Sequence, residues 1–100
     1  MASAVLYRWT LKPGREAEFE SAWSEGTRMI HETCGSYGAN LHVDDNGDYV
    51  SYALWPSEQA RQACFTKNDW FSQPCFKTMQ SCIDKRHPEQ VLGVKSKLTT

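Results

Sequence analysis

Residues 37–55 read Tyr37-Gly38-Ala39-Asn40-Leu41-His42-Val43-Asp44-Asp45-Asn46-Gly47-Asp48-Tyr49-Val50-Ser51-Tyr52-Ala53-Leu54-Trp55. The segments Tyr37–Val43 and Asp48–Trp55 carry the aromatic, aliphatic and β-branched residues that suit a pleated, half-buried surface. Between them Asp44-Asp45-Asn46-Gly47 supplies a tight turn, with Asn46 and Gly47 expected at the positive-φ positions. The prediction is an antiparallel hairpin at the centre of the chain.

Upstream, Ala4–Leu11 is rich in strand formers and is stopped by Lys12-Pro13-Gly14. From Arg15 to Thr33, Phe19, Ala22, Trp23, Gly26 and Ile30 fall on one helical face, with Glu16, Glu18, Glu20 and Glu25 off it. Downstream, Ser57 is placed to cap a helix that breaks at Lys67-Asn68-Asp69, and Pro74 can open a third, short helix whose face holds Phe76, Met79 and Ile83. Gln90–Leu98 completes the pattern as a last strand. The order strand, helix, strand, strand, helix pair, strand predicts the α+β class. The arrangement is ferredoxin-like βαββαβ, a four-stranded antiparallel sheet with helices on one face, in a single domain spanning residues 1–100. Both alternating sets of the first strand are partly apolar: Val5, Tyr7, Trp9 and Leu11 on one side, Ala4 and Leu6 beside Arg8 on the other. The second face therefore calls for cover, and a two-fold homodimer packing sheet to sheet is expected.

Apolar residues make up 40% of the chain and charged ones 23%, with a formal net charge of -1. That balance excludes a disordered tail and argues against a basic nucleic-acid binder, including a ferredoxin-like RNA-binding module. No apolar run approaches the length of a bilayer span and no signal segment precedes the first strand, so no membrane partner and a cytoplasmic location are expected. Four cysteines, Cys34, Cys64, Cys75 and Cys82, allow two disulfides, but without a secretion signal or a zinc-type spacing they read better as free, buried or half-buried thiols.

Three segments together resemble the antibiotic biosynthesis monooxygenase family. They are Tyr7-Arg8-Trp9-Thr10-Leu11-Lys12-Pro13-Gly14-Arg15-Glu16 with Phe19 and Trp23, then Leu41-His42-Val43-Asp44-Asp45-Asn46-Gly47, then Tyr52-Ala53-Leu54-Trp55-Pro56-Ser57-Glu58-Gln59-Ala60. The resemblance spans about residues 4 to 83 and implies a dimeric α+β barrel whose pocket lies between the sheet and the helices of each protomer. It implies oxidation of aromatic phenols to quinones with no flavin and no metal, the deprotonated substrate itself reacting with dioxygen. His42 and Trp55 match the quinone-forming pattern, whereas Ser51 stands where that pattern has Asn and Arg61 where it has Tyr. The haem-degrading branch does not fit: Pro74, Cys75 and Phe76 occupy its axial-histidine region, and Arg8 and Trp9 stand where it has an Asn.

Each candidate residue also has a plain structural reading. His42 is expected as the catalytic base, its imidazole titrating near neutrality, against a partly solvated hairpin histidine. Trp55 is either a ring wall or a core plug, and Trp70 with Phe71 a pocket lip or a dimer contact. Arg8 is an inward cation for a substrate oxygen or half of an intersubunit ion pair. Tyr52 and Tyr37 can donate hydrogen bonds or simply pack. Ser51 and Arg61 complete the expected substrate-binding set, while His31 and His87 have no metal-ligand spacing and Cys75, just after Pro74, has a slight chance of reactivity. Two functions follow: a cofactor-free monooxygenase for a small aromatic phenol or quinol, or a non-catalytic protein of the same dimeric α+β barrel fold that binds a small hydrophobic molecule or is stress-related. A charged Arg61 lining the ring site would favour the second.

Overall fold

The computed structural model describes residues 1–98. Its elements are β1 (Ser3–Leu11), α1 (Glu16–Cys34), β2 (Ala39–Val43), β3 (Tyr49–Trp55), α2 (Glu58–Lys67), a 3-10 turn (Trp70–Ser72), α3 (Pro74–Ser81), β4 (Ile83–Arg86) and β5 (Gln90–Gly93). The strands form one antiparallel sheet in the order β2-β3-β1-β4, with β5 also paired to β1. The ferredoxin-like α+β arrangement is thus present, with one change at its last position.

That position is filled by two strands rather than one. Trp9 pairs with Arg86 and Leu6 with Gln90, so His87, Pro88 and Glu89 stand opposite only Tyr7 and Arg8. One residue is in excess and the ladder bulges, at the proline that has no N–H to donate. The expected strand to Leu98 ends instead at Gly93, and Ile83, expected on the third helix, begins β4.

Local signals in the sequence explain the helix bounds. The Ser57 hydroxyl accepts from Ala60 N–H at 3.1 Å and starts α2. Gly35, at φ +71°, closes α1 with its N–H on the His31 carbonyl. The hairpin turn is also as placed, but Gly47 is its only positive-φ residue. Asn46 keeps a negative φ because Asp44 Oδ1 accepts from the N–H groups of Asn46 and Asp48, at 2.9 and 3.0 Å, and holds a longer loop.

The core lies between the sheet and the helices. Val5, Trp9, Phe19, Trp55, Phe76 and Met79 are buried there, and full burial of Phe19 alone stabilises by roughly 1.5–3 kcal/mol. Gly26 lets α1 and α3 approach: a Cβ there would sit 3.1 Å from the Phe76 ring and 3.4 Å from the Met79 methyl. The two helices are thus spaced by the absence of a side chain.

The free-thiol reading holds only in part. Cys34 at the end of α1 and Cys64 in α2 are joined as a disulfide, with Cα atoms 5.7 Å apart, whereas Cys75 and Cys82 are free and buried. The two partners are 30 residues apart in sequence, and only the packing of α1 on α2 brings them within bonding reach. No helix among the described residues is long and apolar enough to cross a membrane.

Candidate functional site

Strand parity assigns each side chain to a face. Tyr7 pairs with Ser51 and Ser51 with Leu41, so these three share the helix-covered side; Arg8, Val50 and His42 form the next row and share the open side. On the covered side the sheet and helices enclose a cavity of about 360 Å³, within the usual size of a small-molecule pocket. Its floor is Tyr7 and Trp9 from β1, Ala39 from β2, and Ser51, Ala53 and Trp55 from β3. Its walls are Trp23, Thr27 and Ile30 from α1, Phe65 from α2, and Phe76 and Met79 from α3, with Phe71 and Glu89 also lining it.

The polar centre of this chamber is Arg61. Its side chain is 11% exposed, and a guanidinium in that setting needs partners. Nε donates to Glu58 Oε1 at 2.8 Å and Nη2 to Glu58 Oε2 at 2.6 Å, a fork spanning one turn of α2. Nη1 donates to the Tyr7 hydroxyl at 3.2 Å, and Nη2 reaches Glu89 Oε1 at 3.4 Å. Two donor hydrogens are then left by count: the second on Nη1 and the one on the Tyr7 hydroxyl, which accepts from Arg61 and keeps its own. Burial pushes the Tyr7 phenol above its ordinary value, against the pull of the Arg61 charge, so it stays protonated at neutral pH. The hydrogen bonds from Arg61 hold the Glu58 carboxyl below its usual range.

The sequence-predicted residues divide between the two faces. Trp55, Ser51 and Arg61 line the cavity together. His42 does not: it is exposed, one position out of parity with Leu41, and lines a separate groove with Leu41, Val43 and Tyr49 rather than this cavity. Tyr52 is likewise on the open side, 37% exposed. Arg8 is not an inward cation: it lies on the open side, forms an ion pair with Asp44 of its own hairpin and lies 3.9 Å from Asp48. Trp70 is buried against Phe76 in the core and is not among the cavity-lining residues, while its neighbour Phe71, 53% exposed, does line the cavity. Tyr37 is exposed on the approach to β2.

Four contributors were not singled out from sequence: Tyr7, Trp9, Phe65 and Glu89. The first two are legible, since they share parity with Ser51 through the strand pairing. Phe65 follows Arg61 by four residues and so lies on the same helix face. Glu89 reaches the cavity only through the bulge, for which Pro88 is the one local signal and which strand periodicity does not show. Burial also pushes the Cys75 thiol up, away from the thiolate form, although it stands beside Pro74. Among the described residues no group of three His, Cys, Asp or Glu is placed to hold a metal ion.

Comparison with known proteins places these features. Residues 2–80 match the family model for antibiotic biosynthesis monooxygenase. SnoaB, a cofactor-independent oxygenase from Streptomyces nogalater, has a similar structure with a TM-score of 0.79 at 17% identity, covering 99% of this chain and 98% of that one. A conserved protein from Methanosarcina mazei Go1 gives 0.76 at 16% identity, over 92% and 91% of the two chains. The protein Rv0793 from Mycobacterium tuberculosis gives 0.71 at 12% identity, over 99% and 100%. A search of curated proteins finds no match.

Proposed function

We propose, from the premise that the chain belongs to the antibiotic biosynthesis monooxygenase family, that it is a cofactor-independent monooxygenase acting on a small aromatic phenol or quinol. The observation that carries this is the pairing of an aromatic-walled cavity with one buried two-donor head, Arg61 and Tyr7. A flat ring rests among Trp9, Trp55 and Phe65, with its oxygen between the free Nη1 hydrogen and the Tyr7 hydroxyl. Ser51 lies beneath it. These donors are fixed before the substrate arrives and gain strength as the oxygen becomes an anion.

The chemistry then belongs to the substrate. Loss of a proton leaves a delocalised carbanion and oxyanion, which passes an electron to dioxygen. The radical pair collapses to a carbon–oxygen bond, and the resulting hydroperoxide loses water to leave a carbonyl. One CH2 and one O2 become one C=O and one H2O. The open face of the sheet, with Leu6, Val50, Tyr52 and Leu54 only partly covered, is where a second copy would pack to form the homodimer.

Oxygen uptake with a panel of hydroxyanthrones and naphthols tests this reading. Turnover above the enzyme-free rate is expected, with a loss of roughly 10²–10³-fold in Arg61→Leu; no uptake with any member refutes it. The charge of Arg61 beside the ring favours one second reading, a protein that binds an aromatic ligand without oxidising it. Saturable binding with no oxygen consumption is the result that selects it.

A further inference from the structure

The oxygenase reading needs a group to take the substrate's proton, and His42 faces away from the cavity. Among the described residues lining the cavity, those with ionisable side chains are Tyr7, Arg61, Arg86 and Glu89. The two arginines carry no free pair at working pH, and Tyr7 is a protonated phenol that already accepts from Arg61. Glu58 is engaged by both of its oxygens and does not line the chamber. One carboxylate is left.

The bulge accounts for its position. Arg86, opposite Trp9, and Gln90, opposite Leu6, belong to opposite faces of the sheet. His87 turns to the open side, where its Nε2 lies 2.9 Å from Thr10 Oγ1, and its N–H bonds the Arg8 carbonyl. The extra residue, Pro88, then restores the inward direction at Glu89, so that Arg86 and Glu89 line the same cavity although three residues apart. Re-aiming a side chain beside a site is a recurrent use of such bulges.

Resting on the oxygenase reading, we propose that Glu89 is the general base of the reaction. Its carboxylate takes the proton from the substrate hydroxyl or ring CH2 while Arg61 and Tyr7 receive the oxygen that becomes negative. The electron pair stays on the substrate and goes on to dioxygen. Glu89 holds only one long bond to Arg61, at 3.4 Å, and its side chain is 47% exposed. It can therefore accept a proton on the cavity side and release it to water. Arg61 on α2 and Arg86 on β4 line the same cavity, and their positive charges lower the cost of forming a substrate anion there.

The test is steady-state oxygen uptake on a hydroxyanthrone with the full chain, comparing the parent with Glu89→Gln and Glu89→Asp. Gln keeps the shape and the acceptor for Arg61 but cannot take a proton. A fall in kcat of roughly 10²–10⁴-fold is expected, with the dissociation constant of the corresponding anthraquinone within about threefold and the acid limb of kcat against pH lost. Glu89→Asp, which keeps a carboxylate at shorter reach, should recover part of the rate. Melting curves of both variants exclude misfolding, which a half-exposed position does not predict. Turnover in Glu89→Gln within threefold of the parent overturns the assignment while leaving the oxygenase reading intact. A parent that binds the hydroxyanthrone and consumes no oxygen overturns both.

Discussion

The two faces of one sheet are built from the same strands and differ in kind. On the covered side, Tyr7, Trp9, Ser51 and Trp55 border a chamber in which the Arg61 guanidinium is held by Glu58, Tyr7 and Glu89. On the open side, Arg8, His42, Val50 and Tyr52 are half-buried or exposed, and Arg8 is paired with Asp44 in the hairpin turn. One position along a strand moves a residue from one setting to the other. Residue type therefore matters less than parity: the open face has the more familiar catalytic side chain, a histidine, and the covered face has the cavity.

Substitutions can break this contrast. Phe19→Ala, at a fully buried ring stacked edge-on to Trp9 and Tyr49, should cost about 3–5 kcal/mol in urea unfolding, whereas Tyr52→Ala should cost well under half of that. Equal losses would mean that the isolated protomer does not treat its faces differently. Next in size, reducing the Cys34–Cys64 bridge should lower stability by about 3 kcal/mol, as expected for a loop of this length, seen as a fall in melting temperature with dithiothreitol. An unchanged melt would mean that α1 and α2 do not depend on the bridge.

Acid sharpens the same comparison. The Glu58 carboxyl is held below its ordinary value by Arg61, so its contribution is complete above that value and is lost as pH falls through the lower, folded one. Fluorescence of the cavity tryptophans should therefore report a partial opening only in the acid region below the usual glutamate titration. A change centred at neutral pH would contradict this. The smallest effect is expected from His42→Ala, which should leave oxygen uptake within about twofold. A large loss would return the catalytic role to the open face.

Much of this was legible in the sequence, for definite reasons. The Ser57 cap, the Gly35 stop and the hairpin turn are local signals, and each fixes an end of an element. The helix-one face of Phe19, Ala22 and Gly26 follows from spacing alone. The placement of His42 was also within reach: with Val43 paired to Tyr49 across the turn, His42 must share a face with Val50, opposite in sense to Trp55. The Cys34–Cys64 bond and the inward turn of Glu89 depend on how distant elements pack and on one extra residue in a ladder. Neither leaves a periodic trace in the chain.

Gly26 carries a consequence for what the chamber can admit. The atoms that a methyl group there would press on, the Phe76 ring and the Met79 terminus, are themselves parts of the cavity wall. Helix spacing and slot thickness are therefore a single adjustable quantity, set at its minimum by the smallest residue available. A larger side chain at this point would act as a shim, pressing on the Phe76 ring and the Met79 terminus and so altering the width of the slot they wall.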